Sequence, residues 1–305
     1  MNEVDSAYII QKVQDYIERN IGSSITMKQL SNEVGYSPWY LARIFKEVTG
    51  RAPFEYIRSR RLTQAALVLR DDNKKVIDVA LDFVFDSHEG FTRAFSREFG
   101  IAPGKYRTKT PPIQLFLPEK AYDTYRSLHH TKSMQERMED MTQAIFVQII
   151  KRPERKCLLK RGRKAGDYFE YCDEVGCDIW GVLTSVKEAL YEPIGMWLPK
   201  NMQPVNTSHY VQGVELPMEY DKDIPEGYEL IVLPPCTMMV FQGEPYDDEN
   251  FQYAIGEVWQ HIEKFNPEIY GYQWVPEQAP RFQLAPLGYR GYIEARPVEM
   301  CNKNN

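Results

Sequence analysis

Ser37-Pro-Trp-Tyr-Leu-Ala-Arg-Ile-Phe-Lys46 and Ser87-His-Glu-Gly-Phe-Thr-Arg-Ala-Phe-Ser-Arg-Glu-Phe99 are one device written twice. Each opens on a serine able to cap a helix and continues with one oily and one polar face. A short apolar helix and a turn precede each, from Thr26 to Gly35 and from Val76 to Asp86. That order is a helix-turn-helix, and two in tandem point to a chain that reads double-stranded DNA in two places.

Local signals extend outward from this pair. Thr26 with Gln29 is a capping box, Gly35 ends that helix, and Ser37-Pro38 starts the next. In the helix from Pro38, the buried stripe is expected at Leu41, Ile44, Phe45 and Val48, with Trp39, Arg43 and Lys46 on another face. Thr49-Gly50 closes it. Ile9, Ile10, Val13, Tyr16 and Ile17 predict a helix over 5–20. A long helix over 54–70, burying Phe54, Ile57, Leu62, Ala65, Ala66 and Leu69, joins the two units and spans about 25 Å. In the second unit Asp86 and Ser87 are both caps. Phe91, Ala94 and Phe95 are expected inward, and His88, Glu89, Thr92, Arg93 and Ser96 outward.

The charge is uneven. The 305 residues carry a net −6. Residues 1–110 hold 17 Lys and Arg against 14 Asp and Glu, a surplus of +3, whereas 111–305 hold 20 against 29, a deficit of −9. A nucleic-acid module joined to an unrelated acidic domain has this asymmetry. No run approaches a membrane span, and the acidic start lacks the apolar region of a secretory signal. The five cysteines (157, 172, 177, 236 and 301) form no CxxC pair, so reduced thiols, a cytoplasmic location and no metal site are expected.

Pro111-Pro112 marks a boundary. The organisation expected is a DNA-binding domain over 1–110, a linker over 111–141 with a charged helical run from Ser133 to Asp140, and a ligand-binding domain over 142–305. Strand-like runs fall at 144–151, 156–161, 194–198, 209–216, 228–233, 236–242, 281–285 and 289–294, and helical runs at 167–190 and 249–264. Trp180 and Trp259, and Glu215 and Glu294, are each 79 residues apart. With the matching element order, this predicts a duplicated unit. The fold class is therefore an all-α first domain with two helix-turn-helix units joined by a long helix. The second domain is α+β, a duplicated antiparallel sheet-and-helix unit with a central ligand cleft.

On Ser37–Lys46, Arg58-Ser-Arg-Arg-Leu62 and Phe85–Arg107, residues 8–107 resemble the DNA-binding domain of the AraC/XylS family of bacterial transcription regulators. On Val147–Lys156, Tyr210–Leu216, Gly227–Leu230, Phe241–Glu244, Pro280-Arg-Phe282 and Tyr292–Val298, residues 142–298 resemble a GyrI-like small-molecule-binding domain. The order of the two resembles the Rob-like branch. The resemblance implies a DNA-binding activator with a small-molecule effector, RNA polymerase as a partner, no cofactor and no catalytic residues.

Arg43 and Arg93 occupy equivalent places and suit guanine, whose O6 and N7 match the guanidinium fork. Trp39 beside Arg43 is read as an apolar contact to a base or sugar, with a place in the core as the competing reading. Tyr40 lies on the same turn. Ser37, Lys46, Thr92 and Arg97 are candidate phosphate contacts. His88 and Glu89 replace the family's usual polar amides, and Glu89 repels phosphate unless it accepts from cytosine, so the second unit is expected to bind more weakly. Arg58, Arg60 and Arg61 are read as a solvated face with phosphate binding as the alternative.

In the second domain the aromatic set Tyr168, Trp180, Trp197, Tyr210, Trp259 and Tyr292 with Glu294, and with Glu215 as its counterpart, suits a small hydrophobic ligand, an organic cation above all. Core packing competes for each Trp, and an exposed strand position competes for Glu215. Two alternatives stand beside the sensor: a small-molecule hydrolase using paired carboxylates, and a domain that binds a protein and no ligand.

Overall fold

The computed structural model describes residues 3–118, 144–176, 178–247 and 250–301. The chain divides into two compact units, Met1–Glu139 and Asp140–Asn305. The Ser133–Asp140 run lies outside the described residues.

Among the described residues the first unit holds seven helices: α1 Glu3–Arg19, α2 Met27–Val34, α3 Pro38–Thr49, α4 Pro53–Asp71, α5 Val76–Asp82, α6 His88–Phe99 and α7 Pro103–Lys109. The capping signals act where the sequence places them. The Thr26 hydroxyl accepts from the Gln29 amide and the Gln29 side chain accepts from the Thr26 amide, closing the box at α2. Ser37 and Ser87 cap α3 and α6, each helix runs 12 residues, and Gly50 and Gly100 end them at φ of 72° and 69°. Left-handed backbone of this kind is where glycine avoids a Cβ clash.

The repetition goes further than the two helices. Gly50-Arg-Ala-Pro53-Phe-Glu-Tyr56 and Gly100-Ile-Ala-Pro103-Gly-Lys-Tyr106 share one frame, and every matched position is 50 residues from its mate. Pro53 and Pro103 stand at the first turn of a helix, where a missing amide proton costs nothing. Pro103 thus opens α7. Tyr56 and Tyr106 are both buried, packed on Phe45 at 5.3 Å and on Phe95 at 5.7 Å between ring centroids.

The two turns differ. The first reverses at Gly35 with φ 74°, the second at Val84 with φ 61°, a strained conformation for a β-branched residue.

α4 divides its burial between two cores. Tyr56 and Ile57 join Ile10, Val13, Ile17, Leu30, Leu41 and Phe45. Leu62, Ala65, Ala66 and Leu69 join Val79, Ala80, Phe91, Phe95 and Tyr106. Val48 and Phe54, expected inside, are exposed at the corner where α3 hands over to α4. The helical period runs on through that corner but the partner elements stop there.

Two of the three arginines read as solvated are structural. Arg60 is buried and pairs with Glu18 through two hydrogen bonds of 2.7 and 2.6 Å, with a third to the Phe116 carbonyl. Arg61 donates to the Ile21 and Ser23 carbonyls. Arg58 alone remains exposed. The segment after Pro111-Pro112, expected as the start of a linker, is an extended strap along α4. Ile113 and Leu115 enter the second core, Phe116 packs against the first, and the Phe116 amide donates to the buried Thr63 hydroxyl.

The second unit is one antiparallel sheet with helices α8 Tyr168–Val175, α9 Ile179–Ser185 and α10 Phe251–Lys264. Its strands are β1 Phe146–Arg152, β2 Arg155–Arg161, β3 Ile194–Trp197, β4 Tyr210–Leu216, β5 Glu229–Leu233, β6 Cys236–Gln242, β7 Tyr272–Trp274, β8 Arg281–Leu284 and β9 Ile293–Met300. They lie in the order β1-β6-β9-β8-β3-β4-β2-β5, with β7 also on β9. The helical run expected over 167–190 is two helices, parted at Gly176 with φ 96°. The last strand begins at Ile293, later than expected, because Gly288–Arg290 is a 3-10 turn and Gly291 takes φ 78°.

Leu158, Trp197, Tyr210, Val214 and Leu216 pack beneath α8 and α9. Met239, Phe241, Tyr292 and Val298 pack beneath α10. The alternate residues, among them Cys157, Leu159, Met196, Val211, Met238, Val240, Phe282 and Ala295, build a third core on the other face. Cys157, Cys236 and Cys301 are free thiols, whereas Cys172 is disulfide-bonded, against the reduced state expected for all five; Cys177 lies outside the described residues.

Candidate nucleic-acid interface and an aromatic centre

Recognition from a helix needs long side chains on an exposed face, and α3 carries them. Trp39 is 76% exposed, which removes the core reading. Arg43 is exposed and lies 5.9 Å from the Trp39 ring, 5.3 Å from the Tyr40 ring and 3.5 Å from the Glu47 carboxylate. Two rings and one carboxylate limit where its guanidinium can swing. Tyr40 in turn tilts against Tyr36 at 5.3 Å. The Ser37 oxygen accepts from the Tyr40 amide, which leaves its hydroxyl proton to donate outward. Lys46 is exposed one turn on.

α6 presents a different face. His88, Glu89, Arg93 and Arg97 are exposed, and no ring or ion pair holds Arg93 among the described residues. Thr92, expected outward, is half-buried with its hydroxyl shut off from solvent and without a hydrogen-bond partner, so it does not reach a phosphate from here. It follows Phe91 on the side turned toward the core. Between α4 and α6 lies a groove of about 880 Å³ whose walls include Arg58, Arg61, Ser87, Gly90, Arg93 and Arg97. Arg58, Arg93 and Arg97, with Arg61 tied to carbonyls behind them, outweigh the one carboxylate of the lining, Asp86, and give the groove the sign that a phosphate backbone requires.

In the second unit the structure gathers five of the aromatic and acidic candidates into one network. Trp197 donates to the Gly166 carbonyl and meets Tyr210 edge-on at 5.0 Å. The Tyr210 hydroxyl accepts from Gln283 at 3.3 Å, and the Tyr292 hydroxyl lies 2.8 Å from the Gln283 carbonyl oxygen and 3.0 Å from Glu294. Trp259 donates to Glu294 at 2.9 Å. Burial, followed by the Glu294 charge, raises the Tyr292 phenol well above its ordinary range, so it stays protonated. Gly195 makes the crossing possible: a Cβ there would fall 2.0 Å from the Tyr210 hydroxyl. Tyr168 and Trp180 are half-buried and pack against the cluster beneath α8 and α9.

Glu215 is elsewhere. Alternation along β4 places it with the third core, opposite Cys157, while Glu294 faces α10, opposite Phe241. It is buried between Arg152 at 2.6 Å and Arg155 at 2.5 Å, with Tyr191 over Arg152. The expected pairing of Glu215 with Glu294 is therefore corrected: the residue on β4 that shares Glu294's place two after a buried tyrosine is Gln212. Glu294 is fully buried and already receives Arg296 at 2.9 Å, with Arg281 at 3.8 Å, so it is no spare carboxylate awaiting an organic cation. Arg281 and Arg296 fall within the segments that carry the effector-domain resemblance, though neither they nor Gln283 is among the candidate site residues. The period of two that puts Arg296 on the face of Glu294 was the available signal.

Among the described residues no group of three or more His, Cys, Asp and Glu is placed to hold a metal, and no helix is long and apolar enough to cross a membrane.

A family model described as a helix-turn-helix domain matches residues 30–109. The transposon Tn10 TetD protein of Escherichia coli is 42% identical over 99 residues, covering 32% of this chain and 72% of that protein. The multiple antibiotic resistance protein MarA of Salmonella typhimurium is 38% identical over 101 residues, covering 33% of this chain and 80% of that protein. The right origin-binding protein of Escherichia coli K12 is 36% identical over 132 residues, covering 40% of this chain and 46% of that protein. The match thus spans less than half the length of this last relative.

Proposed function

This chain belongs to the AraC/XylS family of helix-turn-helix regulators, and on that premise we propose that it regulates transcription by binding specific double-stranded DNA. The observation that carries the reading is the pair of serine-capped 12-residue helices, in one frame and joined by a single helix of 19 residues. That helix is about 28 Å long, of the order of the ~34 Å between successive major grooves. Trp39, Tyr40 and Arg43 on α3, and His88, Glu89 and Arg93 on α6, read bases. Ser37, Lys46, Arg97 and the arginine-lined groove meet phosphates. One chain occupies an asymmetric site without dimerising, activates transcription through RNA polymerase, and works in the cytoplasm.

The second unit is the effector domain, with a boundary between 111 and 142. Its strand order supports a duplication: β6-β9-β8 mirrors β2-β4-β3 about the β8–β3 pair, and β1 and β5 lie outside. The centre formed by Trp197, Tyr210, Trp259, Tyr292 and Glu294, with Tyr168 and Trp180 behind it, takes a small hydrophobic ligand. That ligand shifts regulation by no more than its differential affinity for the two states.

The test of the first reading is selection of binding sites from random duplexes at near-physiological salt, followed by titration of wild type and Arg43→Ala. Enrichment of one asymmetric site, lost at one base pair in the variant, supports it. Binding without sequence preference overturns it.

A further inference from the structure

We propose that the helix-side face of β8 and β9 is a carboxylate-binding subsite, formed by Arg281 and Arg296 between Trp197 and Trp259, and that the effector is an aromatic or otherwise apolar acid. The inference deepens the effector reading and rests on it.

Phe282 pairs with Ala295 and Gln283 with Glu294, so one further step along the ladder sets Arg281 opposite Arg296. Like charges directly across an antiparallel pair repel. Glu294 lies on the diagonal and is shared by both, 2.9 Å from Arg296 and 3.8 Å from Arg281. One carboxylate between two guanidinium groups leaves a surplus of one positive charge at a partly buried place. Glu294 has no capacity to spare, since Trp259 and Tyr292 also bond to it.

Arg281 is the group left over. Its guanidinium makes no hydrogen bond among the described residues, although it carries five N–H donors and sits 3.8 Å from Glu294. Its carbon lies 4.0 Å from the centre of the Trp197 ring, and its side chain is 36% exposed. Burial pulls its pKa down, yet a guanidinium stays charged, so the cost of desolvation is carried by the fold until an anion arrives. A planar carboxylate satisfies the fork with two parallel hydrogen bonds. Trp259, 43% exposed with its indole nitrogen tied to Glu294, offers a flat apolar surface for the rest of such a ligand. An organic cation would instead meet two positive groups and a carboxylate that is already bonded.

The experiment is isothermal titration calorimetry on the full chain with three probes of one shape: 1-naphthoate, 1-naphthamide and (1-naphthylmethyl)trimethylammonium. The acid is expected to bind at least about tenfold more tightly than the amide, and the cation weakest of the three. Arg281→Gln should cost the acid about tenfold and leave the amide within about twofold, while Arg281→Lys, which keeps the charge but not the fork, falls between. Equal or tighter binding of the cation by the unaltered chain overturns the proposal and leaves the effector reading standing. So does an Arg281→Gln chain that melts like wild type and binds the acid unchanged. Silence of all three probes in a preparation that binds DNA overturns both.

Discussion

α3 and α6 share a skeleton and differ in almost everything they show to solvent. Cap, length, terminating glycine, following Ala-Pro and buried tyrosine recur at a spacing of 50 residues. On that common frame Trp39 stands where α6 has Glu89, Tyr40 where it has Gly90, and Glu47 where it has Arg97. Arg43 is therefore held by two rings and a carboxylate, while Arg93 is free of all three. A pre-positioned guanidinium loses less freedom on binding and reads one base edge with less smear. The lesson is that the scaffold was kept by its interior and the two readers were free to diverge.

The comparison is most severely tested through the interior. Tyr56→Ala and Tyr106→Ala should each destabilise the first unit by about 3–5 kcal/mol in denaturant titrations, as aromatic deletions from cores do. A frame shared in fact as well as in sequence requires both losses; tolerance of either substitution breaks the equivalence. Next in size is the readout. Arg43→Ala should cost about 1–3 kcal/mol in DNA affinity, concentrated at one base pair, measured by competition against singly substituted sites. Arg93→Ala should cost less and spread its loss more evenly. Equal, position-specific losses would mean that the rings around Arg43 contribute nothing to its selectivity.

A finer distinction separates the two tyrosines. The Tyr106 hydroxyl is buried without a partner, while Gln14 bonds that of Tyr56. Tyr106→Phe should therefore raise stability by about 1 kcal/mol, and Tyr56→Phe should lower it by a similar amount. A common sign for both in thermal melts would sink this reading. The smallest effect belongs to Glu89→Gln. Removing a carboxylate from the exposed first turn of α6 should tighten DNA binding by about 0.5 kcal/mol on every sequence, and the gain should fade as salt rises. A gain confined to one base pair would instead make Glu89 a cytosine reader.

Legibility in the sequence followed locality. Caps and stops such as Thr26 with Gln29, Gly35, Ser37, Ser87 and Gly50 are decided within four residues, and the structure has each where it was read. Val48, Phe54 and Thr92 depend on which neighbour arrives, and periodicity alone misassigned them. In the sheet the error was one of parity. A shift of 79 matches the tryptophans but sets Glu215 against Glu294, whereas a shift of 82 matches Tyr210 with Tyr292 and Gln212 with Glu294, and two shifts that differ by an odd number assign opposite faces of the sheet. Pro297 inside β9 has a similar explanation. A proline argues against a central strand, but it stands at the gap where β8 has ended and β7 begins to pair. Arg281 reaches Glu294 from the neighbouring strand, a partner that no local pattern names.

The strap that follows α7 stitches the first unit shut. Two covalent paths, α4 and the returning segment through Leu115 and Phe116, now tie the same pair of cores together, with the Arg60–Glu18 bridge between them. A hinge with one pin swings; a hinge with two does not. If both helices engage one duplex, the protein behaves as a ruler of fixed gauge. A target with one base pair added between its contacted halves must be bent or twisted to fit, and the cost of that distortion falls on the DNA.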